Sequence, residues 1–133
     1  MNLQFVESLE NEWIPFVNYL QSVLDQMANF VTVNVSGPLT ESCEPYVQAG
    51  LLPDNSLILE AVSDWNLERP LSMRARVGLR YLQWNDPGTT EGNHSIHLPQ
   101  NRPGNHLVAR FLLLTLRDVY GATPTCSFDW SFE

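Results

Sequence analysis

The spacing of apolar residues changes along the chain, and each change of period marks a predicted element. Between residues 3 and 28, apolar side chains recur at steps of three and four, which is the spacing of an amphipathic helix. Pro15 lies inside this segment, and a proline within a helix removes a backbone hydrogen bond. The pattern therefore predicts one helix kinked near residues 11–15, or two short helices placed end to end.

Alternation with a period of two follows, and it predicts strands. These strands are placed at residues 30–35, 46–52, 57–63 and 94–98. The first three are joined by short connections, which indicates an antiparallel meander. Cys126, Phe128 and Trp130 also alternate, so the tail is predicted to form a short edge strand.

Two further helices are predicted at residues 71–84 and 105–120. Ser72 is the expected N-cap of the earlier helix, and Gly121 closes the later one. A chain of 133 residues has the usual size of one domain, so residues 1–133 are assigned to a single domain. The order of elements predicts an α+β fold, with one antiparallel sheet and helices packed on one of its faces.

The helix predicted at residues 71–84 has two apolar stripes on a wheel of about 100° per residue. The first stripe, expected to face the sheet, contains Leu71, Ala75, Gly78, Leu79 and Leu82. The second stripe lies roughly opposite and contains Met73, Val77, Tyr81 and Trp84. Either the tail or the 85–104 segment of the same chain covers the second stripe, or another protein does. Met and aromatic residues are favoured in such interfaces.

Charge narrows the range of partners. The formal net charge is −8, and the seven cationic side chains other than histidine are all arginines. Nucleic acids and anionic membranes are bound by clustered Lys and Arg, so neither is expected as a partner.

The chain starts without the pattern of a signal peptide, and its longest apolar run, residues 107–116, is shorter than the ~20 residues of a membrane span. We therefore expect a cytoplasmic protein in which Cys43 and Cys126 are plain thiols.

Few residues are candidates for catalysis or metal binding. Glu60, on a predicted strand, is a candidate general base, but such a carboxylate is more often exposed or paired with an arginine, and Arg74, Arg76 and Arg80 are close in sequence. His94, His97 and His106 are candidate metal ligands, although residues three apart on a strand point to opposite faces. The sequence contains no nucleophile elbow or phosphate-binding motif. No catalytic, cofactor-binding or metal-binding residue is therefore assigned.

Five short motifs occur in a fixed order along the chain. They are Tyr46-Val47-Gln48, Glu60-Ala61-Val62-Ser63, Leu71-Ser72, Leu79-x-x-Leu82-x-Trp84-x-x-Pro87 and Leu116-Arg117-Asp118-Val119-Tyr120-Gly121-x-x-Pro124. This series resembles the TY-Chap domains of actinobacteria, which are relatives of the type III secretion chaperones and the YbjN-like proteins. The resemblance covers residues 30–130. In one departure, the family usually has Leu-Gly-Trp where this chain has Leu82-Gln83-Trp84.

The resemblance implies the element order α-β-β-β-α-β(-β)-α and a non-enzymatic, peptide-binding chaperone or adaptor without cofactors. It also implies a homodimer, because the secretion chaperones form dimers through the second helix while clients wrap around the outside in extended form. No catalytic residues are implied.

We accordingly predict a chaperone-like module that binds a segment of a partner protein along apolar grooves and an exposed sheet edge. The predicted dimer or partner interface consists of Met73, Val77, Tyr81 and Trp84. One alternative is a regulatory or immunity-type protein that neutralises a specific partner, helped by electrostatic steering. Another is a small metal-dependent or carboxylate-based enzyme that uses Glu60 or the histidines.

Overall fold

The computed structural model describes residues 11–36, 45–63, 66–67, 70–89 and 92–133. The elements in chain order are a 3-10 turn (Asn11–Trp13), α1 (Ile14–Gln26), β1 (Phe30–Ser36), β2 (Tyr46–Leu51), β3 (Leu57–Ala61), α2 (Met73–Tyr81), β4 (His94–Leu98), α3 (Asn105–Asp118) and β5 (Ser127–Phe132). The predicted α+β fold is confirmed. The fifth strand follows the last helix, as the alternation in the tail predicted, and does not precede it. Residues 3–10 of the first predicted helix, and Cys43, lie outside the described residues.

The five strands form one antiparallel sheet in the order β4-β3-β2-β1-β5. Successive side chains of a strand point to opposite faces, and in β1 the buried residues Val31, Val33 and Val35 alternate with half-buried ones. The buried side chains of the strands and helices form a single core cluster. α1 packs beside α3 over this apolar face, and α2 packs against α3. The predicted arrangement of helices on one face of the sheet is confirmed.

Pro15 marks the start of α1 and does not kink it. The 3-10 turn leads directly into Ile14, which puts Pro15 in the first turn of the α-helix. Proline is favoured there, because the N–H that it lacks would have no partner within the helix. Beyond this turn the apolar stripe is buried and includes Val17, Leu20 and Leu24.

Ser72 is the N-cap of α2, as predicted. Its Oγ accepts a hydrogen bond from the N–H of Ala75 at 3.0 Å, which satisfies one of the free donors of the first turn. The helix is nevertheless shorter than the predicted range of 71–84, because it ends at Tyr81.

The end of α2 is set by Gln83, which has a φ of 68° in the left-handed region. The N–H of Gln83 donates to the carbonyl of Arg80, and the N–H of Trp84 donates to the carbonyl of Leu79, both at 3.0 Å. These two bonds form a Schellman C-cap. The chain therefore leaves the helix axis before it reaches Trp84.

α3 is the central helix of the fold, with a continuous buried stretch from Val108 to Leu116 except for Arg110. Gly121 follows it with a φ of 78°, as expected for a glycine that closes a helix. Just before it, the buried hydroxyl of Tyr120 donates to the carbonyl of Val62 at 2.7 Å, which ties the end of α3 to the end of β3. None of the helices in the described ranges has the length and apolar character needed to cross a membrane.

Candidate protein-binding surfaces

Three apolar side chains of α2 point away from the core, and we call them the α2 patch: Met73, Val77 and Tyr81. They are 75%, 57% and 54% exposed, respectively. Their spacing of four residues aligns them in a strip about 12 Å long. Within the described residues neither the tail nor the 85–104 segment covers this strip, so the structure does not support the intrachain cover that was one alternative. A contiguous exposed apolar patch is typical of an interaction surface.

Trp84 does not belong to the exposed strip, and the prediction of a four-residue stripe is wrong at this position. The Trp84 side chain is only 4% exposed. Its ring stacks on Phe111 with centroids 5.5 Å apart, and its Nε1–H donates to Thr115 Oγ1 at 3.1 Å. The wheel assumed a helix that continued to residue 84, whereas the left-handed residue Gln83 turns the next side chain toward α3.

Arginines border the α2 patch on both sides. At about 100° per residue, Arg80 lies just before Met73 around the helix and Arg74 lies just after Tyr81. Both arginines are exposed, and neither guanidinium forms an ion pair or hydrogen bond with another described residue. The sequence of α2, MRARVGLRY, contains three arginines and no acidic residue. In a chain with a net charge of −8, the patch is therefore an apolar strip with cationic borders.

Gly78 lies on the side of α2 that faces α3. A Cβ atom at this position would come within 3.3 Å of Val119 Cγ2, and Val119 is fully buried. The glycine allows the two helices to approach closely, as is typical of a glycine inside a packed helix. Because this packing fixes one side of α2, the α2 patch is held in a defined orientation toward solvent.

The second candidate surface is the outer edge of β5. Phe30 and Glu133 exchange both backbone hydrogen bonds, at 3.0 and 3.3 Å, and bonded pairs alternate along an antiparallel ladder. The backbone groups of Phe128, Trp130 and Phe132 therefore point away from β1. No other strand in the described part of the chain pairs with this edge, so it can accept an added strand.

A groove of about 350 Å³ lies beside this edge, between β5 and the end of α1, and we call it the β5 groove. Its lining is Tyr19, Ser22, Val23, Gln26, Met27, Ala28, Phe132 and Glu133. Tyr19 packs edge-on against Trp130 with ring centroids 4.7 Å apart, while Tyr19 and Phe132 remain 46% and 54% exposed. Trp13 and Phe16 extend this row of aromatic contacts to Phe128. An extended segment paired with β5 would have an aromatic surface next to its side chains.

The opposite edge of the sheet, at β4, is less accessible. Asn85 forms an isolated bridge with Ser95 on the outer side of β4. The two residues exchange backbone hydrogen bonds at 3.0 and 3.2 Å. Part of this edge is therefore already occupied, which is a common way to protect an edge strand.

The residues considered for chemistry are dispersed over the molecule. His94 and His97 lie on opposite faces of β4, opposite Ala61 and Ile58 respectively, which confirms the predicted geometry. His106 lies on α3, where its Nδ1 contacts Gln21 Oε1 at 2.9 Å. In the described ranges no three His, Cys, Asp or Glu side chains are grouped so that they could hold a metal ion.

Glu60 lies on the sheet face opposite the helices, in a row of polar side chains that crosses three strands. Its Oε2 accepts a hydrogen bond from Gln48 Nε2 at 3.4 Å, and Thr32 Oγ1 donates to Gln48 Oε1 at 2.9 Å. Glu60 forms no ion pair with an arginine among the described residues. Cross-strand polar pairs of this kind stabilise a sheet, and they give Glu60 a structural role.

Asp54, Ser56 and His97 meet at the turn between β2 and β3. Ser56 Oγ donates to Asp54 Oδ1 at 2.5 Å and lies 3.2 Å from His97 Nε2. These hydrogen bonds, from the Ser56 side chain first and its backbone N–H second, lower the pKa of Asp54. In a catalytic triad the histidine lies between the acid and the serine, whereas here the serine lies between the other two. Ser56 is also only 1% exposed, so the group is a turn cap rather than a nucleophilic site.

Sequence reasoning found the α2 patch but missed Tyr19, Phe132 and the β5 groove. The missed signal lies in the tail, where Phe128, Trp130 and Phe132 occupy every second position. This regular spacing extends the predicted strand by two residues beyond Trp130. What the sequence could not show is that α1 lies directly over this strand.

Comparison with families of known proteins confirms the resemblance. Residues 6–128 match the model of the TY-Chap3 family, which is described as T3SS (YopN, CesT) and YbjN peptide-binding chaperone 3. Comparisons with curated proteins and with solved structures give no significant match. The match to TY-Chap3 covers most of the chain and agrees with the α+β fold. The chain therefore belongs to the TY-Chap3 family of peptide-binding chaperones.

Proposed function

We propose that this protein binds an extended segment of a partner protein at β5 and catalyses no reaction on it. The observation that carries the proposal is an available strand edge next to an aromatic groove. Phe128, Trp130 and Phe132 direct backbone donors and acceptors outward, while the β5 groove lies on the side to which their side chains point. In strand addition, main-chain hydrogen bonds supply affinity and pockets for alternate side chains supply specificity.

Membership of a peptide-binding chaperone family supports a protein client. The α2 patch is the second contact surface of the proposal. Met73, Val77 and Tyr81 would meet either a client or a second copy of the chain, which would make the protein a homodimer. Trp84 would support this surface from inside the domain. We expect these interactions to take place in the cytoplasm.

Peptides selected by the intact chain from a random-peptide display library would test strand addition. The key variant is Phe132→Glu, which introduces a charge beside the β5 groove. Ser131→Glu is the matched control, because it introduces the same charge in the same strand on the opposite face. We expect Phe132→Glu to weaken binding of the edge-binding peptides by at least about tenfold and Ser131→Glu by less than about twofold, since only one of them removes apolar contact area.

Backbone pairing between β5 and a peptide can be measured separately, by the exchange of backbone amide hydrogens. A bound peptide should slow exchange of the outward amides of Phe128, Trp130 and Phe132, while that of Ser131, which already faces β1, should change little. Equal losses for the two glutamate variants, without slower exchange at the three outward amides, would contradict strand addition. Selected partners that bind only as folded domains would favour the regulatory or immunity-type alternative.

A further inference from the structure

We infer that the α2 patch holds an acidic segment of a partner protein, in which an apolar residue is flanked by Asp or Glu. The inference rests on the proposed protein-binding role and names the chemistry of the partner at the second surface. It concerns α2 alone, so it does not depend on strand addition at β5.

The charge of α2 is opposite to that of the whole chain. The helix contains three arginines and no acid, whereas the chain has a net charge of −8. Arg74 and Arg80 are exposed on the two borders of the α2 patch, without an ion pair to another described residue. Arginine binds carboxylates through paired, charge-assisted hydrogen bonds. A segment with apolar and acidic residues therefore matches both the strip and its borders.

A second copy of the chain matches this surface poorly. A two-fold dimer uses the same patch on both subunits, so a dimer centred on α2 would bring the arginine borders of the two copies together. Like charges facing each other across an interface oppose association.

The positions of the arginines specify the spacing of the acidic groups. Arg74 and Arg80 lie on opposite borders and are six residues apart, which corresponds to about 9 Å along the helix axis. A segment that crosses the strip obliquely can place an apolar side chain on Val77 and a carboxylate on each side. The expected recognition pattern is acidic, apolar, acidic, and not a single cluster of charges.

The test uses a random-peptide display library selected on the intact chain, with Val77→Glu as the counter-screen for the α2 patch. Peptides that bind the natural chain but not Val77→Glu should contain Asp or Glu on both sides of an apolar residue. The double variant Arg74→Gln/Arg80→Gln should weaken their binding on the order of tenfold. Asn18→Glu/Asn101→Glu changes the net charge by the same amount at two exposed positions elsewhere, and it should change affinity by less than about twofold.

Four outcomes would overturn the inference. The first is that no peptide depends on Val77, and the second is that the dependent peptides lack an excess of acidic residues. Another is that the glutamine and the glutamate double variants weaken binding equally. The last is light scattering that shows a dimer at tens of micromolar which Val77→Glu converts to a monomer, because a second copy would then occupy the patch. If the Val77-dependent peptides behave as expected while Phe132→Glu affects no peptide, only the proposed strand addition fails.

Discussion

The α2 patch and the β5 edge are both exposed and apolar, but they offer a partner different groups. A helix satisfies its backbone internally, so α2 presents side chains alone, whereas β5 presents backbone donors and acceptors at Phe128, Trp130 and Phe132. Their charges also differ. α2 contains arginines and no acid, while β5 and the residue after it contain Asp129 and Glu133 and no base. Binding at α2 should thus depend on the charge of the partner, and binding at β5 on its ability to become a strand.

The two surfaces are also supported differently. The α2 patch lies on a helix fixed from below by Gly78 and by Trp84, which are packed against α3. The β5 groove lies between two elements, α1 and an edge strand, and its position depends on their aromatic contacts. Each surface can therefore be tested with one variant of a residue that holds it in place and one variant of a residue that a partner would contact.

The largest expected effect is that of Trp84→Ala. Removing a buried tryptophan that stacks on Phe111 and donates to Thr115 should lower the free energy of unfolding by about 3–5 kcal/mol. Met73→Ala, at the exposed end of the same predicted stripe, should change it by no more than about 0.5 kcal/mol. Denaturant unfolding monitored by circular dichroism measures both. A similar decrease in the free energy of unfolding for the two variants would mean that Trp84 is no more buried than Met73. This would contradict the described end of α2.

The second largest effect is expected from ionic strength, which should change the affinity of peptides at one surface more than at the other. Peptides bound at the α2 patch should lose roughly tenfold in affinity when salt is raised from about 0.05 M to 0.5 M, because exposed ion pairs are screened. Peptides bound at β5 should change by less than about twofold, because main-chain hydrogen bonds and apolar contact carry their binding. Isothermal titration at the two salt concentrations measures this difference. An equal salt dependence at both surfaces would contradict the proposed electrostatic difference between the α2 patch and β5.

Gln83→Gly should stabilise the support of the α2 patch. A non-glycine residue at positive φ is strained, and the entropy that glycine loses on folding offsets part of the gain, so we expect an increase of up to about 1 kcal/mol in the free energy of unfolding. Gln83→Ala, which keeps the strain, is the control and should not stabilise. Thermal and denaturant unfolding provide the measurement. A loss of stability in Gln83→Gly would show that the glutamine side chain makes a contact that outweighs the strain.

The smallest effect is expected outside both surfaces, at the turn where the Asp54 carboxylate accepts hydrogen bonds from Ser56. The lowered pKa of Asp54 in the folded state means that its carboxylate stabilises the fold above the pKa of the unfolded chain. This contribution is lost as pH falls through the lower, folded pKa, below about pH 4. In Ser56→Ala the pKa of Asp54 should rise toward its ordinary range, as measured by NMR titration of its carboxyl carbon. Ser22→Ala, on α1, should leave it unchanged.

Most of the fold was predictable because local patterns reflect burial directly. The alternation of Val31, Val33 and Val35 predicted a strand with one buried face, and Ser72 predicted the start of α2. The exposed strip at Met73, Val77 and Tyr81 was predictable for a related reason, since an apolar stripe opposite the core-facing stripe is visible on a helical wheel.

Errors occurred where a local backbone conformation or a distant contact decided the outcome. Glutamine at position 83 gives no sequence signal for a left-handed conformation, so the predicted helix ran three residues past Tyr81 and included Trp84. The family's usual glycine at that position is the residue expected for a left-handed C-cap, but the glutamine obscures it in this chain. The prediction also placed Pro15 inside a helix. Proline lacks a backbone N–H at any position, so the residue type alone does not show that Pro15 lies in the first turn.

The sequence by itself determined the α+β order of elements, the apolar face of each strand and the presence of a second apolar stripe and three arginines on the same helix. These properties follow from the period of the side chains and from their charge. Only the tertiary structure decided which apolar residues remain exposed. Gln83 turns Trp84 into the core beneath α3, and the pairing of β1 with β5 leaves one strand edge available beside α1. Burial depends on packing between residues far apart in the chain, such as Trp84 with Phe111 or Tyr19 with Trp130, and no local pattern contains that information.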